Sequence, residues 1–439
     1  MEVGHTVTVA AVHLWGSRIG AVSQEATDAP TVFEYTPQFA RSDIELSPLR
    51  MPTGGGPAPR FAFPGLAPSF RGLPGLLADS LPDRFGNAVI DAWLARQGRT
   101  PASFNAVERL CYIGTRGMGA LEFQPTLGPT PAAGRDLDVA ALVQLASEVL
   151  AERQGLDTSL AGESDEALLD ILAVGTSAGG ARAKAVIAFN PSTRAVRSGQ
   201  LDAPDGFEHW LLKFDGVDSH RELGDAQGYG AVEYAYAKMA GEAGLEMMES
   251  RLLEENGRRH FMTRRFDRVG NEKLHMQSLG ALDHYDFMQA GAYSYEQAFM
   301  TIRQLGLSRA AVDQQFRRMV FNIVARNQDD HVKNIAFLMN RTGEWALSPA
   351  FDMTYAYNPS GQWTSQHQMS VAGKRDRFTV NDLRACAETA AMKRGAAERI
   401  ITEVAAAVSE WHSFASEAGV PHAQAAAIAT THRLGLARG

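Results

Sequence analysis

The sequence of 439 residues has little cysteine and no long apolar run. Cys111 and Cys386 lie far apart and no C-x-x-C pair occurs, so a cysteine-based zinc site or redox pair is not expected. Two free thiols are typical of the reducing cytoplasm, which is the predicted location. No apolar stretch reaches the roughly 18 residues of a membrane span, and the first residues lack the basic segment of a secretory signal. We therefore expect no contact with a membrane.

An excess of positive charge is also absent. The chain carries 42 Lys and Arg against 50 Asp and Glu, a net charge of −8. Because nucleic-acid binding depends on clustered Lys and Arg, we expect contact with nucleic acid only through a partner. The apolar content of 45% is ordinary for a globular protein and excludes a mostly disordered chain. The length exceeds what one core usually supports, so more than one domain is predicted.

Changes in periodicity divide the chain into three predicted units. Residues 1–130 combine short alternating strands, a Gly/Pro-rich coil and a helix over 77–98, and a Pro- and Gly-spaced linker follows at 125–136. Residues 137–275 are rich in strands and 276–439 are mostly helical. These patterns predict an α+β protein with an N-terminal α/β subdomain, a mixed sheet and an all-α C-terminal unit.

The densest chemical motif is NQDDHVKN at 327–334. Asp329 and Asn334 reproduce the Asp-x-x-x-x-Asn spacing of a kinase catalytic loop, where a carboxylate meets the attacking hydroxyl and an amide oxygen meets a metal. Asp352 follows a predicted hairpin, and oxygen ligands from Asn334 and Asp352 suit Mg²⁺. The motif also arises by chance, as a solvated turn with Asp352 capping a helix. Its place between an apolar helix and a hairpin favours the functional interpretation.

Two upstream features agree with nucleotide binding. Lys213 ends the apolar strand HWLLKF, and a buried lysine is costly unless it meets an anion. In a kinase that anion is a nucleotide phosphate, with a helix glutamate as second partner, for which Glu233 is the candidate. Alternatively, Lys213 extends to solvent at a strand end. The small residues of GTSAGGARAK at 175–184 would let backbone N–H groups approach phosphates, although the segment lacks the Walker pattern and could be only a turn.

Taken together and in this order, the motifs resemble the HipA family of serine/threonine kinases, the toxin component of bacterial toxin–antitoxin modules. The resemblance includes LADSLPDRFGNAVIDAWL at 77–94, SAGGARAK at 177–184 and RFDR at 265–268, and spans nearly the whole chain. It implies a two-lobed protein-kinase-like fold with an appended N-terminal subdomain, and it implies ATP and Mg²⁺ as cofactors. Arg264, before RFDR, departs from the acidic residue that the family often has there.

The resemblance also implies roles for single residues. Asp329 would be the catalytic base, His331 and Lys333 would support the catalytic loop, and Asn334 and Asp352 would bind Mg²⁺. The loop serine Ser177, or Thr176 in its place, would be autophosphorylated, and the added dianion would repel ATP from the cleft. The residues expected to contact the nucleotide are Ser177, Gly179, Gly180, Lys184, Lys213, Glu233 and Phe266.

The function implied is growth arrest by phosphorylation of a protein substrate, with an aminoacyl-tRNA synthetase or another translation factor as the target that the family suggests. A HipB-like helix-turn-helix antitoxin is the expected partner and would supply any contact with DNA. Two alternatives remain open. One is a small-molecule kinase of the same architecture, and the other is a catalytically silent kinase-fold module that acts with a DNA-binding antitoxin. The four intact residues Lys213, Asp329, Asn334 and Asp352 favour an enzyme.

Overall fold

The computed structural model describes residues 7–26, 29–54, 56–82, 84–128, 135–153, 182–217 and 228–437. The predicted phosphate-loop residues Thr176, Ser177, Gly179 and Gly180 lie outside these ranges. The predicted α+β fold class is confirmed: an N-terminal subdomain with its own sheet precedes a second five-stranded sheet and a helical lobe.

The secondary structure comprises fifteen strands and twelve α-helices in the described part of the chain. The strands are β1 (Val9–Leu14), β2 (Ser17–Ser23), β3 (Val32–Tyr35), β4 (Arg60–Phe61), β5 (Leu121–Gln124), β6 (Lys184–Phe189), β7 (Val196–Ser198), β8 (Glu208–Lys213), β9 (Ser250–Glu255), β10 (Arg258–Arg264), β11 (Arg268–Val269), β12 (Glu272–Lys273), β13 (His275–Ser278), β14 (Ala336–Met339) and β15 (Trp345–Leu347). The helices are α1 (Gly75–Ala78), α2 (Arg84–Arg96), α3 (Ala106–Ile113), α4 (Val139–Arg153), α5 (Tyr229–Glu242), α6 (Leu279–Asp283), α7 (Tyr295–Gln304), α8 (Arg309–Val324), α9 (Val380–Thr389), α10 (Ala396–Ser409), α11 (Trp411–Glu417) and α12 (His422–Ala429).

The N-terminal subdomain is built on an antiparallel sheet of order β4-β3-β2-β1-β5. Alternation in β1 buries Ala10, Val12 and Leu14 on one face, where they join a core with α3. Helix α3 begins with a capping box in which Asn105 and Glu108 bond to each other's backbone N–H groups. The predicted helix over 77–98 is shorter in the structure: α2 starts at 84, after Pro82, which suits a chain segment leading into a helix better than its interior.

The second sheet, of order β7-β6-β8-β10-β9, forms the N-lobe, and its pairings are antiparallel rather than mixed as predicted. The reason lies in the connections. Helix α5 leads from β8 to β9, but β9 pairs with β10 through a two-residue Asn256–Gly257 turn instead of returning beside β8. Both turn residues have positive φ, as the tight turns of twisted hairpins require. Strand β10 ends at Arg264, directly before the RFDR motif at 265–268.

The helical lobe surrounds a large apolar core to which α5 and helices α7–α11 contribute. Side chains in the sequence fix where its helices begin: Ser294 with Gln297 and Thr379 with Asp382 form capping boxes at α7 and α9. A three-stranded sheet of β13, β14 and β15 carries the hairpin predicted between the two chemical motifs. Across the described ranges, each helix is too short or too polar to span a bilayer.

The N-terminal subdomain contacts the helical lobe through a close backbone approach. A Cβ added at Gly75 would lie 2.1 Å from the carbonyl oxygen of Ala281, so only glycine fits there. The Gly75 N–H donates to Nε2 of His284 at 3.0 Å. Asp79 accepts hydrogen bonds from the backbone N–H and the hydroxyl of Ser278, at 2.6 and 2.9 Å, at the start of α6. Helix α6 is therefore anchored partly by the subdomain that precedes it.

Asp267 joins the same subdomain to the segment that links the two lobes. Its carboxylate, which is fully buried, accepts two hydrogen bonds from Arg265 at 2.9 and 2.7 Å, one from Arg268 at 2.8 Å and one from the Gly119 N–H at 2.7 Å. Burial alone would raise the pKa of Asp267, but the two guanidinium groups outweigh it and hold the pKa well below its usual range. Arg268 also donates to the carbonyls of Gly117 and Gly119.

We expect Asp267→Asn to lower the free energy of unfolding by about 3–5 kcal/mol at neutral pH, because it leaves two buried guanidinium groups without their anion. Urea denaturation measures the loss. The matched control is Glu272→Gln, whose ion pair with Arg341 is half exposed and should contribute less than about 1 kcal/mol. Because the pKa of Asp267 is lowered by folding, its contribution to the free energy of unfolding is fully present above the pKa of an unfolded aspartate. The difference in unfolding free energy between wild type and Asp267→Asn should therefore become smaller as the pH falls below about 4. Equal losses in both variants would contradict the assignment.

Asp215 fixes helix α5 against strand β8. Its carboxylate accepts hydrogen bonds from the N–H groups of Gly228, at 2.9 and 3.1 Å, and of Gly230, at 3.2 Å, which are among the donors left unpaired at a helix start. Gly228 itself offers no side chain and lies in the left-handed region. The cap therefore comes from a residue two positions after Lys213, and it ties this strand end directly to the helix that carries Glu233.

We expect Asp215→Ala to destabilise the protein by about 1–2 kcal/mol, the usual effect of losing a helix cap. Asp215→Asn is the matched control, because its amide oxygen can still accept from both glycine N–H groups and should lose much less. Thermal unfolding of the two variants measures the difference. An alanine variant as stable as the asparagine variant would show that the cap is unimportant.

Candidate functional site

The centre of the site is Lys213, at the end of β8 in the N-lobe. Its Nζ lies 2.5 Å from Oε1 of Glu233 on α5 and contacts Oδ1 of Asp352 from the helical lobe. The exposed side-chain fractions are 11% for Lys213, 3% for Glu233 and 24% for Asp352, so the two carboxylates meet the amine in a mostly buried position that opens beside Asp352. The predicted pair of Lys213 and Glu233 is present. Asp352, which the sequence pattern did not pair with Lys213, connects the helical lobe to this pair.

The charges of this cluster keep one another ionised. Burial alone would lower the pKa of Lys213, but Asp352 and Glu233 reverse the effect and raise it above its usual value. Burial would raise the pKa of Asp352, but Lys213, Lys184 and His331 lower it. A lysine ammonium ion and an aspartate carboxylate are therefore both available at neutral pH, the first as a partner for anions and the second as a ligand for cations.

Backbone contacts hold Asp352 beside the catalytic-loop motif. The residue has a φ of 53°, in the left-handed region that Asp tolerates better than most residues. Its carbonyl oxygen accepts a hydrogen bond from Nδ2 of Asn327 at 3.0 Å. Asn327 and Ala356 form a parallel bridge, and the Gln328 N–H donates to the Ala356 carbonyl at 3.0 Å. The segment before Asp329 is thus hydrogen-bonded to the segment after Asp352.

The predicted catalytic loop contains one exposed carboxylate and one buried one. Asp329 has a side chain that is 43% exposed, whereas the Asp330 side chain is 1% exposed and accepts hydrogen bonds from His367, Tyr295 and the Gln368 backbone. Nδ2 of Asn334 donates to the Asp329 carbonyl at 2.7 Å, which closes the loop and leaves the amide oxygen for another contact. Asp329 therefore has the accessible acid group of the motif, and Asp330 holds the loop in place.

His331 and Lys333 of the loop both lie against Phe287. The ring of His331 is 5.8 Å from that of Phe287, and its Nε2 is 3.9 Å from Oδ1 of Asp329. Nζ of Lys333 lies 5.0 Å above the same aromatic ring and 4.0 Å from Asp79 of the N-terminal subdomain. Lys333 therefore links the loop to the subdomain and does not contact Lys213 or its carboxylates in the described contacts.

The other residues predicted to bind nucleotide are only partly in the described ranges. Lys184 begins β6, is buried, and lies opposite Lys213 in the sheet register. Phe266 is half-buried and its ring lies 5.4 Å from that of Phe351, next to Asp352. Arg264 forms a surface ion pair with Glu208 at 3.1 Å. Ser177, Gly179 and Gly180 fall outside the described residues, so their predicted role in phosphate binding stays a prediction.

The donor set fits a magnesium ion held together with phosphates. Asp352 supplies a carboxylate that is ionised and partly exposed, and Asn334 supplies an amide oxygen. The described part of the chain has no cluster of three or more His, Cys, Asp or Glu side chains able to enclose a metal. One carboxylate, one amide oxygen, water and nucleotide phosphates form the kind of shell that Mg²⁺ takes in kinases.

Sequence patterns missed three residues that support the site. Asp215 caps α5 although other residues separate the two in the sequence. Arg182 lies 3.8 Å from Glu233 and 4.3 Å above the ring of Tyr229. Trp363 donates a hydrogen bond from Nε1 to Oδ1 of Asp329 at 2.9 Å. An aspartate directly before a helix is a known capping signal, but Asp215 stands too far before α5 in the sequence to be recognised as its cap. Nothing in the sequence singled out Trp363.

Two family models match successive parts of the chain. The family model described as HipA N-terminal domain matches residues 10–124, and the one described as HipA-like C-terminal domain matches residues 176–411. A search of curated protein sequences found no match. A chain of the Shewanella oneidensis MR-1 complex of HipA, HipB and operator DNA aligns with a TM-score of 0.67 and 16% identity, covering 98% of this chain and 96% of that one.

A second solved structure, the Helicobacter pylori proinflammatory kinase CtkA, aligns over 50% of this chain and 92% of that chain, with 13% identity and a TM-score of 0.29, too low to assign a common fold. The two family models follow each other along the chain, and the C-terminal one covers more than half of it, including Lys213, Asp329, Asn334 and Asp352. The chain therefore belongs to the HipA family.

Proposed function

We propose that the protein is an ATP- and Mg²⁺-dependent kinase that transfers phosphate to a serine or threonine hydroxyl of a protein. The observation that carries the proposal is the meeting of Lys213, Glu233 and Asp352 between the two lobes, beside a loop that presents Asp329 and Asn334. Kinase catalysis is mainly positioning and charge neutralisation, and these are the groups that it requires.

Each residue has a role that follows from its charge and position. Lys213, kept protonated by its two carboxylates, would offer its ammonium group to nucleotide phosphates, and Glu233 would keep it aimed at the cleft. Asp352 and the amide oxygen of Asn334 would hold Mg²⁺, whose charge draws off negative charge from the phosphates. The exposed carboxylate of Asp329 would orient the acceptor hydroxyl and take up its proton. The hydroxyl oxygen would bond to the γ-phosphorus of ATP as the bond from that phosphorus to the bridging oxygen breaks, and ADP would leave.

The same proposal includes regulation by Ser177, or by Thr176. A phosphate on either residue adds about two negative charges at neutral pH. These charges would repel the phosphates of a nucleotide bound beside Lys213 and Lys184 and so weaken its binding. Both residues lie outside the described ranges, so the support is the family resemblance of the segment and the position of Lys184 at its end.

We further propose that the protein is a growth-arresting toxin of the cytoplasm that binds a HipB-like helix-turn-helix antitoxin, through which it reaches DNA. The support is family membership together with the Shewanella oneidensis relative, which is found with HipB and operator DNA. The net charge of −8 agrees with DNA contact through a partner.

We expect Asp329→Asn to lower phosphate transfer by about 10²–10⁴-fold, because the acceptor proton loses its base. The assay incubates the protein with ATP and Mg²⁺ and locates phosphate on the chain and on proteins of a cell extract by mass spectrometry. Asp205→Asn, at an exposed position, is the matched control and should keep full activity. Transfer to metabolites alone would favour a small-molecule kinase, and transfer that persists in the Asp329 variant would overturn the assignment of the base.

We expect the antitoxin to bind independently of catalysis. A helix-turn-helix protein encoded beside the gene should form a complex with both the wild-type protein and Asp329→Asn, and operator DNA should bind the complex but not the protein alone. Gel filtration and DNA-mobility measurements test this. Growth arrest by overproduced Asp329→Asn would contradict a toxin that acts through phosphorylation, and the absence of any complex would contradict the partner.

A further inference from the structure

Trp363 contacts the proposed catalytic carboxylate directly. Its indole N–H donates to Oδ1 of Asp329 at 2.9 Å, within normal hydrogen-bond distance. Other polar groups nearby do not replace this bond: Nε2 of His331 is 3.9 Å from the same oxygen, and Asn334 donates to the backbone carbonyl of Asp329 instead. Within the ranges that the structure describes, Trp363 is the one side chain that donates a hydrogen bond to this carboxylate.

The segment that carries Trp363 is anchored to the neighbouring residue, Asp330. Nδ1 of His367 and the Gln368 N–H contact its two carboxylate oxygens, both at 2.7 Å. The side-chain amide of Gln368 turns back and donates to the carbonyl oxygen of Trp363. Segment 363–368 is therefore bound to both aspartates of the loop, through buried bonds at Asp330 and through one indole N–H at Asp329.

The buried contacts of His367 and Gln368 with Asp330 hold the backbone of Trp363 in place. His367 is fully buried between Asp330 and Arg433, whose Nη1 lies 3.2 Å from His367 Nε2, and the ring of Phe378 lies 5.3 Å from the imidazole. The hydroxyl of Tyr295 donates to the same Asp330 oxygen as His367, at 2.8 Å. Because its backbone is already held by a packed segment, the Trp363 side chain loses little further conformational entropy when it bonds to Asp329.

We propose, on the basis of the proposed function, that Trp363 is a positioning residue for phosphate transfer. Its N–H fixes the Asp329 carboxylate by one oxygen and leaves Oδ2 for the acceptor hydroxyl, so the base does not have to be ordered when the acceptor arrives. The nucleotide site is not involved, because Trp363 makes no described contact with Lys213, Glu233 or Asp352. Loss of the N–H therefore slows transfer and leaves the affinity for nucleotide unchanged.

The first test is independent of activity. The chain has six tryptophans, and the indole N–H resonance of Trp363 in ¹⁵N-labelled protein is identified by its absence in Trp363→Phe. We expect this resonance to shift in Asp329→Asn and to stay unchanged in Asp205→Asn. A resonance that does not respond to the Asp329 substitution would overturn the contact and with it the proposal.

The second test separates rate from binding. Trp363→Phe keeps an aromatic ring but has no donor, and we expect kcat to fall about tenfold with the KM for ATP unchanged, as for the loss of a hydrogen bond to a charged group. The matched control is Trp345→Phe, which removes an indole N–H that donates to the Glu45 carbonyl at 3.2 Å, and it should keep wild-type kcat.

The results distinguish this inference from the function on which it rests. An active wild-type protein with an equally active or faster Trp363→Phe variant would overturn the positioning role alone. A rise in KM for ATP equal to the loss in kcat/KM would also overturn it, because that pattern indicates a disturbed nucleotide site. A wild-type protein that transfers no phosphate would overturn the kinase proposal and the positioning role together.

Discussion

The contact of Lys213 with Glu233 and Asp352 is the constraint on which the site depends. An ammonium group in a mostly buried position requires anionic partners, since the loss of water is not otherwise compensated. One partner comes from a helix of the same lobe and the other from the opposite lobe. The ion cluster therefore joins the two lobes, and it gathers one ammonium group and two carboxylates in one place.

Two further carboxylates prepare this arrangement without joining it. Asp215 supplies the missing cap of α5 and so sets the helix that presents Glu233. Asp330 accepts three hydrogen bonds in the interior and lets its neighbour Asp329 face solvent. One aspartate of the loop is therefore held in the interior, while the side chain of its neighbour stays accessible to solvent.

The sequence predicted most of what depends on local pattern. The strands around Lys213, the hairpin before Asp352 and the helix with Glu233 follow from apolar periodicity. The need of Lys213 for an anion follows from the energetics of a buried charge, and Glu233 as its partner follows from the kinase pattern. Contacts that depend on tertiary folding were not predictable. Trp363 meets Asp329 across 34 positions, and Asp267 meets Gly119 across 148, with no spacing rule to connect them. The mixed sheet was wrong because α5 leads to an edge strand, which only the pairing of β9 reveals.

The N-terminal subdomain touches both sides of the cleft. Its Gly119 turn is bonded to Asp267 at the exit of the N-lobe sheet, and its Asp79 is bonded to Ser278 and lies near Lys333 in the catalytic loop. A rotation that widens the cleft has to stretch one of these attachments or carry the subdomain along with it. The subdomain thus bridges the joint between the two lobes, with one attachment on each side.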